Sequence, residues 1–250
     1  MIKDKKEISE ARHSAHPSKE DQKVLITKNG PYIVSGGLPL QKEIIVSDDQ
    51  GTSLSYEKGE SYPKQETYAL CRCGHSHSKP YCDGTHATKH FKGDEVASRE
   101  KFEDIADRID GPDLILRDLP DLCSRARFCH LAGGVWANTE NSDDPEAKDF
   151  AIRAACNCPA GRLVPYDKET GKAIEPDFKK SISLLEDPYK GVSGPIYVKG
   201  GVEIESSDGT KLEKRNRVTL CRCGESKNKP YCDGSHIDCG FTDGDSSLKE

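Results

Sequence analysis

The sequence predicts an α+β protein in which two small β-rich units flank a middle unit of different character. Three observations point there. A cysteine- and histidine-rich motif occurs twice, each time preceded by the same short apolar stretches, so the chain carries an internal repeat. Apolar material is thin, with 34% hydrophobic against 32% charged residues and only 6 Phe and 1 Trp in 250 residues. Small domains with so little core depend on metals, disulfides or oligomerisation, and 11 cysteines are available for the task.

Residues 1–23 are rich in Lys, Glu, Ser and His and lack apolar periodicity, which predicts a mobile tail. His13 and His16 lie in it and read as solvated side chains. The first repeat unit follows, over residues 24–95. Its Gly30-Pro31-Tyr32-Ile33-Val34-Ser35-Gly36-Gly37 matches Gly194-Pro195-Ile196-Tyr197-Val198-Lys199-Gly200-Gly201 in the second unit, residues 188–250. The glycine anchors stand 164 apart and the motif anchors, Cys71 and Cys221, stand 150 apart, so the first copy holds 14 extra residues. Their Asp, Gly and Ser content assigns them to a loop around Asp48–Tyr62. Strands are expected over Tyr32–Val34 and Ile44–Val46, over Ile196–Lys199 and Val202–Ile204, and again ending at Leu70 and Leu220. Between the copies, residues 96–187 suit a strand over Asp113–Arg117 and an amphipathic helix over Pro145–Ala155.

The motif reads Cys71-Arg72-Cys73-Gly74-His75-Ser76-His77-Ser78-Lys79-Pro80-Tyr81-Cys82-Asp83-Gly84-Thr85-His86 in the first copy. In the second it reads Cys221-Arg222-Cys223-Gly224-Glu225-Ser226-Lys227-Asn228-Lys229-Pro230-Tyr231-Cys232-Asp233-Gly234-Ser235-His236, identical at twelve of 16 positions. The shared spacing C-x-C-x8-C-x3-H offers three thiolates and one imidazole, four ligands for a metal centre. One residue between the first two cysteines lets both sulfurs converge on one ion. Pro80 and Pro230 stiffen the approach to the third cysteine. Asp83 and Asp233 are expected to cap a short helix whose N–H groups face the site. From spacing alone, an iron–sulfur group and a structural zinc ion in an interaction module are both open.

Disulfides fit poorly with these cysteines. Their number is odd, and the N-terminus Met1-Ile2-Lys3-Asp4-Lys5-Lys6-Glu7 lacks the apolar run of a signal peptide. No stretch is long and apolar enough to span a membrane. A reduced, cytoplasmic protein without membrane attachment is expected. The formal charge of −6 speaks against a general nucleic-acid binder and is equally the mark of a solvated surface.

Cys82-Asp83-Gly84-Thr85-His86 and Cys232-Asp233-Gly234-Ser235-His236 resemble the signature of the CDGSH iron–sulfur domains, the family of mitoNEET and its relatives, with Thr replacing Ser in the first. The resemblance implies two 2Fe-2S clusters, one on Cys71, Cys73, Cys82 and His86, the other on Cys221, Cys223, Cys232 and His236. Single-motif members often form dimers; the tandem arrangement would let this chain build the pair within itself as a monomer, with pairing of copies through an exposed strand edge as the alternative. The apolar N-terminal helix of membrane-anchored members has no counterpart here.

In the middle unit, Cys123 and Cys129 form C-x5-C, and Cys156-Asn157-Cys158-Pro159 follows. A late Cys-Pro after clustered cysteines is a ferredoxin habit, and the segment resembles a divergent, single-cluster, ferredoxin-like α+β domain. Ala126 stands where a four-cysteine ferredoxin has its second ligand. Cys123, Cys129 and Cys158 would suit a 3Fe-4S cluster, and Cys156 as a fourth ligand would allow 4Fe-4S; buried structural thiols are the alternative. His130 reads as structural and Cys239 as packed.

Such centres imply electron transfer to a redox partner protein, or else donation to an apo cluster acceptor or redox and pH sensing. No nucleophile elbow, P-loop or dinucleotide fingerprint is present, so no enzymatic activity is expected.

Overall fold

The computed structural model describes residues 22–248. The expected tail therefore lies almost entirely outside the described residues, His13 and His16 included. The described chain is α+β. In the first copy run β1 (Lys23–Ile26), β2 (Tyr32–Ser35), β3 (Leu40–Ser47), β4 (Ser53–Ser61), β5 (Thr67–Leu70) and the one-turn α1 (Thr85–Thr88). The middle segment contributes α2 (Phe102–Ile105), β6 (Asp107–Asp110), β7 (Leu114–Asp118), α3 (Val135–Glu140), α4 (Pro145–Cys156) and β8 (Leu163–Asp167). The second copy is built from β9 (Ser181–Asp187), β10 (Val192–Lys199), β11 (Glu203–Glu205), β12 (Arg217–Leu220) and α5 (Ser235–Asp238).

The two copies exchange strands. One sheet has the order β11-β1-β2-β5 and the other β12-β10-β9-β3-β4. β1 pairs in parallel with β11 of the second copy, Lys23 opposite Glu203. Reciprocally, β9 pairs in parallel with β3 of the first, Leu40 opposite Ile182. The third strand of each repeat thus completes its neighbour's sheet. The reason lies in the burial pattern: β2 alternates, with Tyr32 and Val34 inward, while β10 is buried along its whole length. Val24, Tyr32, Val34 and Leu70 of one copy join Leu184, Ile196, Val198 and Leu220 of the other in a single core. Each such side chain contributes about 1.5–3 kcal/mol relative to exposure, and neither copy owns the core alone. β9 lies just before the boundary expected at residue 188 and is the second copy's first strand.

The expected loop around Asp48–Tyr62 is instead a hairpin. Asp48 accepts hydrogen bonds from the backbone of Gln50 and Thr52, and β4 then pairs antiparallel with β3. β4 reads as loop because it is a half-exposed edge strand whose polar residues need only one covered face.

In the middle segment a three-stranded sheet, β6-β7-β8, packs beside α3 and α4. Asp144 caps α4 by accepting from the N–H groups of Glu146 and Ala147, and Pro145 occupies the first turn. Ala151, Ala154 and Ala155 form the buried face of α4, small enough for close packing.

Candidate metal centres

Each motif begins where a strand ends. β5 delivers Cys71, whose N–H donates to the Pro80 carbonyl, and Cys82 donates back to Ala69. β12 delivers Cys221 in the same way, with donation to Pro230 and a return from Cys232 to Thr219. These reciprocal bonds fold the eight intervening residues into a loop that returns the third cysteine to the first two. Cys71 Sγ and Cys73 Sγ lie 3.7 Å apart, and Cys82 Sγ lies 3.3 Å from His86 Nδ1. The second motif repeats these pairs at 3.9 and 3.4 Å. Two sulfurs on one tetrahedral metal at ~2.3 Å would stand ~3.8 Å apart. The structure therefore brings together all eight donors expected from the two motifs, already paired at chelating distance.

The electrostatics suit a cation. Cys71 is pulled down to about 5 by its hydrogen bond with Cys73, against burial, with help from the N–H groups of Ser76 and Gly74. Cys221 is lowered to about 7 for the same reason. Their partners Cys73 and Cys223 are pushed up as the retained donors of each pair. Burial raises Cys82 and Cys232. Packed thiols that cannot all ionise alone are relieved by a bound metal, and sulfur-rich donor sets select zinc or iron–sulfur groups.

Asp83 and Asp233 differ from their expected role. Gly84 and Gly234, both at φ +88°, are the N-cap residues. The Asp83 carboxylate instead accepts from the N–H groups of Thr85 and His77, and Asp233 from those of Ser235 and Lys227. Each aspartate ties the loop before the third cysteine to the turn after it. A left-handed glycine makes this turn sharper than a simple capped helix.

The two motifs touch at two reciprocal points. A Cβ on Gly74 would fall 2.2 Å from the Cys223 carbonyl oxygen, and one on Gly224 would fall 2.5 Å from that of Cys73. The residue after a ligand in each motif thus packs against the backbone of a ligand in the other, and only glycine fits there.

In the middle segment, Cys123, Cys129 and Cys158 line one cavity together with Arg125, Arg127 and Arg162. Burial raises Cys129 to about 11, and the neighbouring Cys158 and Cys123 add to the effect. Cys156 points elsewhere, its thiol 3.5 Å from the Ile174 carbonyl. This three-sulfur set lies beside the second motif: Cys123 and Arg125 line a shared cavity with Lys227, Asn228 and Asp233. His130 is outside the cavity lining. Cys239, expected to be packed, is exposed; its thiol faces the His236 carbonyl at 3.6 Å.

Two arginines that spacing does not reveal hold this arrangement. Arg217 on β12 is wholly buried and donates to the carbonyls of Ala155, Cys158 and Leu163 and to Glu175. Arg127 forms a two-pronged bond to Asp187 at 2.6 and 2.9 Å. Both long arginine runs end on groups distant in sequence, so only the fold exposes their purpose.

The family model for the iron-binding zinc finger of CDGSH type matches residues 29–87 and 193–237, and that for a divergent 4Fe-4S mono-cluster matches residues 109–168. No curated protein and no solved structure matches the chain. With the donor pairs in place and both copies matched, the chain carries two CDGSH-type iron-binding segments that flank a divergent 4Fe-4S mono-cluster segment.

Proposed function

We propose that this iron–sulfur protein transfers electrons, using two 2Fe-2S clusters and a third of 3Fe-4S type. When bound, such groups supply one-electron redox sites whose potentials follow ligation, hydrogen bonding and exposure. The observation that carries the reading is the contiguity of the three donor sets. Gly74 abuts the Cys223 backbone and Gly224 that of Cys73, and Cys123 shares a cavity with Asp233, the residue after Cys232. A protein that merely stabilised itself with metal would have no need to line its centres up.

Cys71, Cys73, Cys82 and His86 would hold the first group, and Cys221, Cys223, Cys232 and His236 the second. Cys123, Cys129 and Cys158 would hold the third, with three ligands favouring 3Fe-4S over 4Fe-4S. The chain's own contribution is orientation and charge. Arg125, Arg127 and Arg162 line the middle cavity, each paired with an aspartate, Asp238, Asp187 and Asp118 in turn. The N–H groups of Gly234 and Glu225 point at Cys232 and Cys223 Sγ at 3.4 and 3.5 Å and favour the thiolates.

One observation favours a second reading, cluster donation to an apo acceptor: Cys82 and His86 are only half-buried. A redox partner protein is the counterpart under the first reading, and an acceptor under the second. Among the described residues no helix is long and apolar enough to cross a membrane.

Iron, zinc and acid-labile sulfide assayed on anaerobically purified protein, with its visible spectrum, test the proposal. About seven irons per chain with matching sulfide are expected, and about eight would indicate 4Fe-4S in the middle. A colourless protein with stoichiometric zinc after reconstitution with iron and sulfide would reject it. Reversible reduction without loss of iron separates the carrier from the donor.

A further inference from the structure

The two CDGSH sites share a sequence but not a setting. In the first copy, nothing lies within 4 Å of where a Cβ on Gly84 would be. In the second, the same position on Gly234 would meet Arg125 Cγ at 2.5 Å and Cδ at 2.6 Å. The side chain of Arg125, on the middle segment, therefore lies across the ligand turn of the second site. Its guanidinium reaches Asp238 at 2.8 Å.

That ion pair is exposed and worth little by itself. The loop is held instead by Arg127, whose bond to Asp187 is shielded, the two side chains being 13% and 3% exposed. Asn228 also donates to the Asp121 carbonyl at 2.7 Å, just before the loop. Arg125 and Arg127 sit at φ +58° and +64°, a backbone shape unfavourable for such residues. The loop is thus bent into place over the second site by contacts at both ends. The result is visible in the ligands: Cys232 and His236 are buried at 3% and 4%, whereas Cys82 and His86 are half-buried.

We infer that the two CDGSH sites are divided in role, the first being the chain's open site for exchange with an outside partner and the second an enclosed site sealed by the Arg125 loop. The inference rests on the reading that both sites hold 2Fe-2S groups. Exchange requires ligands that a partner or chelator can approach, and only the first motif offers them. The second motif, walled by the middle segment on the side where the first is open, communicates with the three-sulfur cavity next to it.

Iron extraction from the loaded protein by a water-soluble chelator at neutral pH, followed by the loss of visible absorbance, tests this. The double variant Cys221→Ala, Cys223→Ala leaves the first site, and Cys71→Ala, Cys73→Ala leaves the second, with the middle centre common to both. Release from the first site is expected to be about tenfold faster than from the second, whose ligands require local opening. Arg125→Gly, which suits the positive φ, is expected to bring the second site's rate up to the first's and to leave the first's unchanged. Asp187→Asn, which leaves the loop's own sequence intact, is expected to act in the same direction. In the intact chain the two sites should appear as two phases, a measurement that needs no ligand variant. Equal rates at the two sites, or an Arg125→Gly effect absent from the second site or shared by both, would overturn the inference. Protein lacking iron and sulfide would instead refute the cluster reading beneath it.

Discussion

His86 and His236 hold the same place in two near-identical motifs and meet different surroundings. Burial pushes the His236 pKa down to about 4, with Asp187 and Asp233 opposing and Arg125 and Arg222 assisting. A base whose folded value lies below its ordinary 6.5 contributes stability that is complete above that value. That stability is lost as the pH falls from 6.5 toward 4, and amounts to about 3 kcal/mol. Protonation competes with metal for the imidazole nitrogen, so iron loss from the second site should quicken as the pH falls toward 4. His236→Cys and His86→Cys are each expected to slow acid loss about tenfold at their own site, since the titrating ligand is gone. Stopped-flow bleaching with unchanged rates in both variants would contradict this. The ligands themselves were legible in the sequence because C-x-C-x8-C-x3-H is a local pattern with a local purpose. Arg125 was not, because its meaning comes from Gly234 and Asp238, which only folding brings near it.

Among the elements, β12 has two duties: it leads into Cys221 and carries Arg217, the bolt between the second copy and the middle segment. Arg217 is fully buried and is met by Glu175, itself partly exposed, and by a ring of carbonyl acceptors. Arg217→Leu would leave these acceptors unpaired at a cost of about 3–5 kcal/mol. The expected result is a lower urea midpoint together with loss of iron from the middle centre, whose Cys158 carbonyl is one of the acceptors. A variant with full iron content and unchanged midpoint would show the bolt to be dispensable. Strands such as β2 and β10, marked by their apolar runs and glycine anchors, could be read from sequence, and so could α4 with its Asp-Pro start. β4 and β9 could not. β4 is a polar edge strand, and β9 is recognisable only beside β3, a partner far along the chain.

For the molecule as a whole, the exchanged strands make the two copies one cooperative body. Residues 22–95 produced alone would lack β11, and residues 178–248 alone would lack β3. Each is expected to aggregate or self-pair and to hold little iron, whereas the two together, with the middle segment supplied, should recover it. Size-exclusion chromatography with iron analysis checks this, and a stable, iron-loaded single fragment would refute it. The same pairing sets a timetable for synthesis. Lys23 finds its parallel partner only at Glu203, and ribosomes add about 5–20 residues per second. For roughly ten to forty seconds, by that rate, the first copy hangs from the ribosome with an open sheet edge and three thiols near one another. Such an edge invites wrong partners, and such thiols invite oxidation. The first copy therefore gains a closed sheet edge only once the second has been made, and a nascent-chain chaperone that shields it is expected to raise the yield of loaded protein.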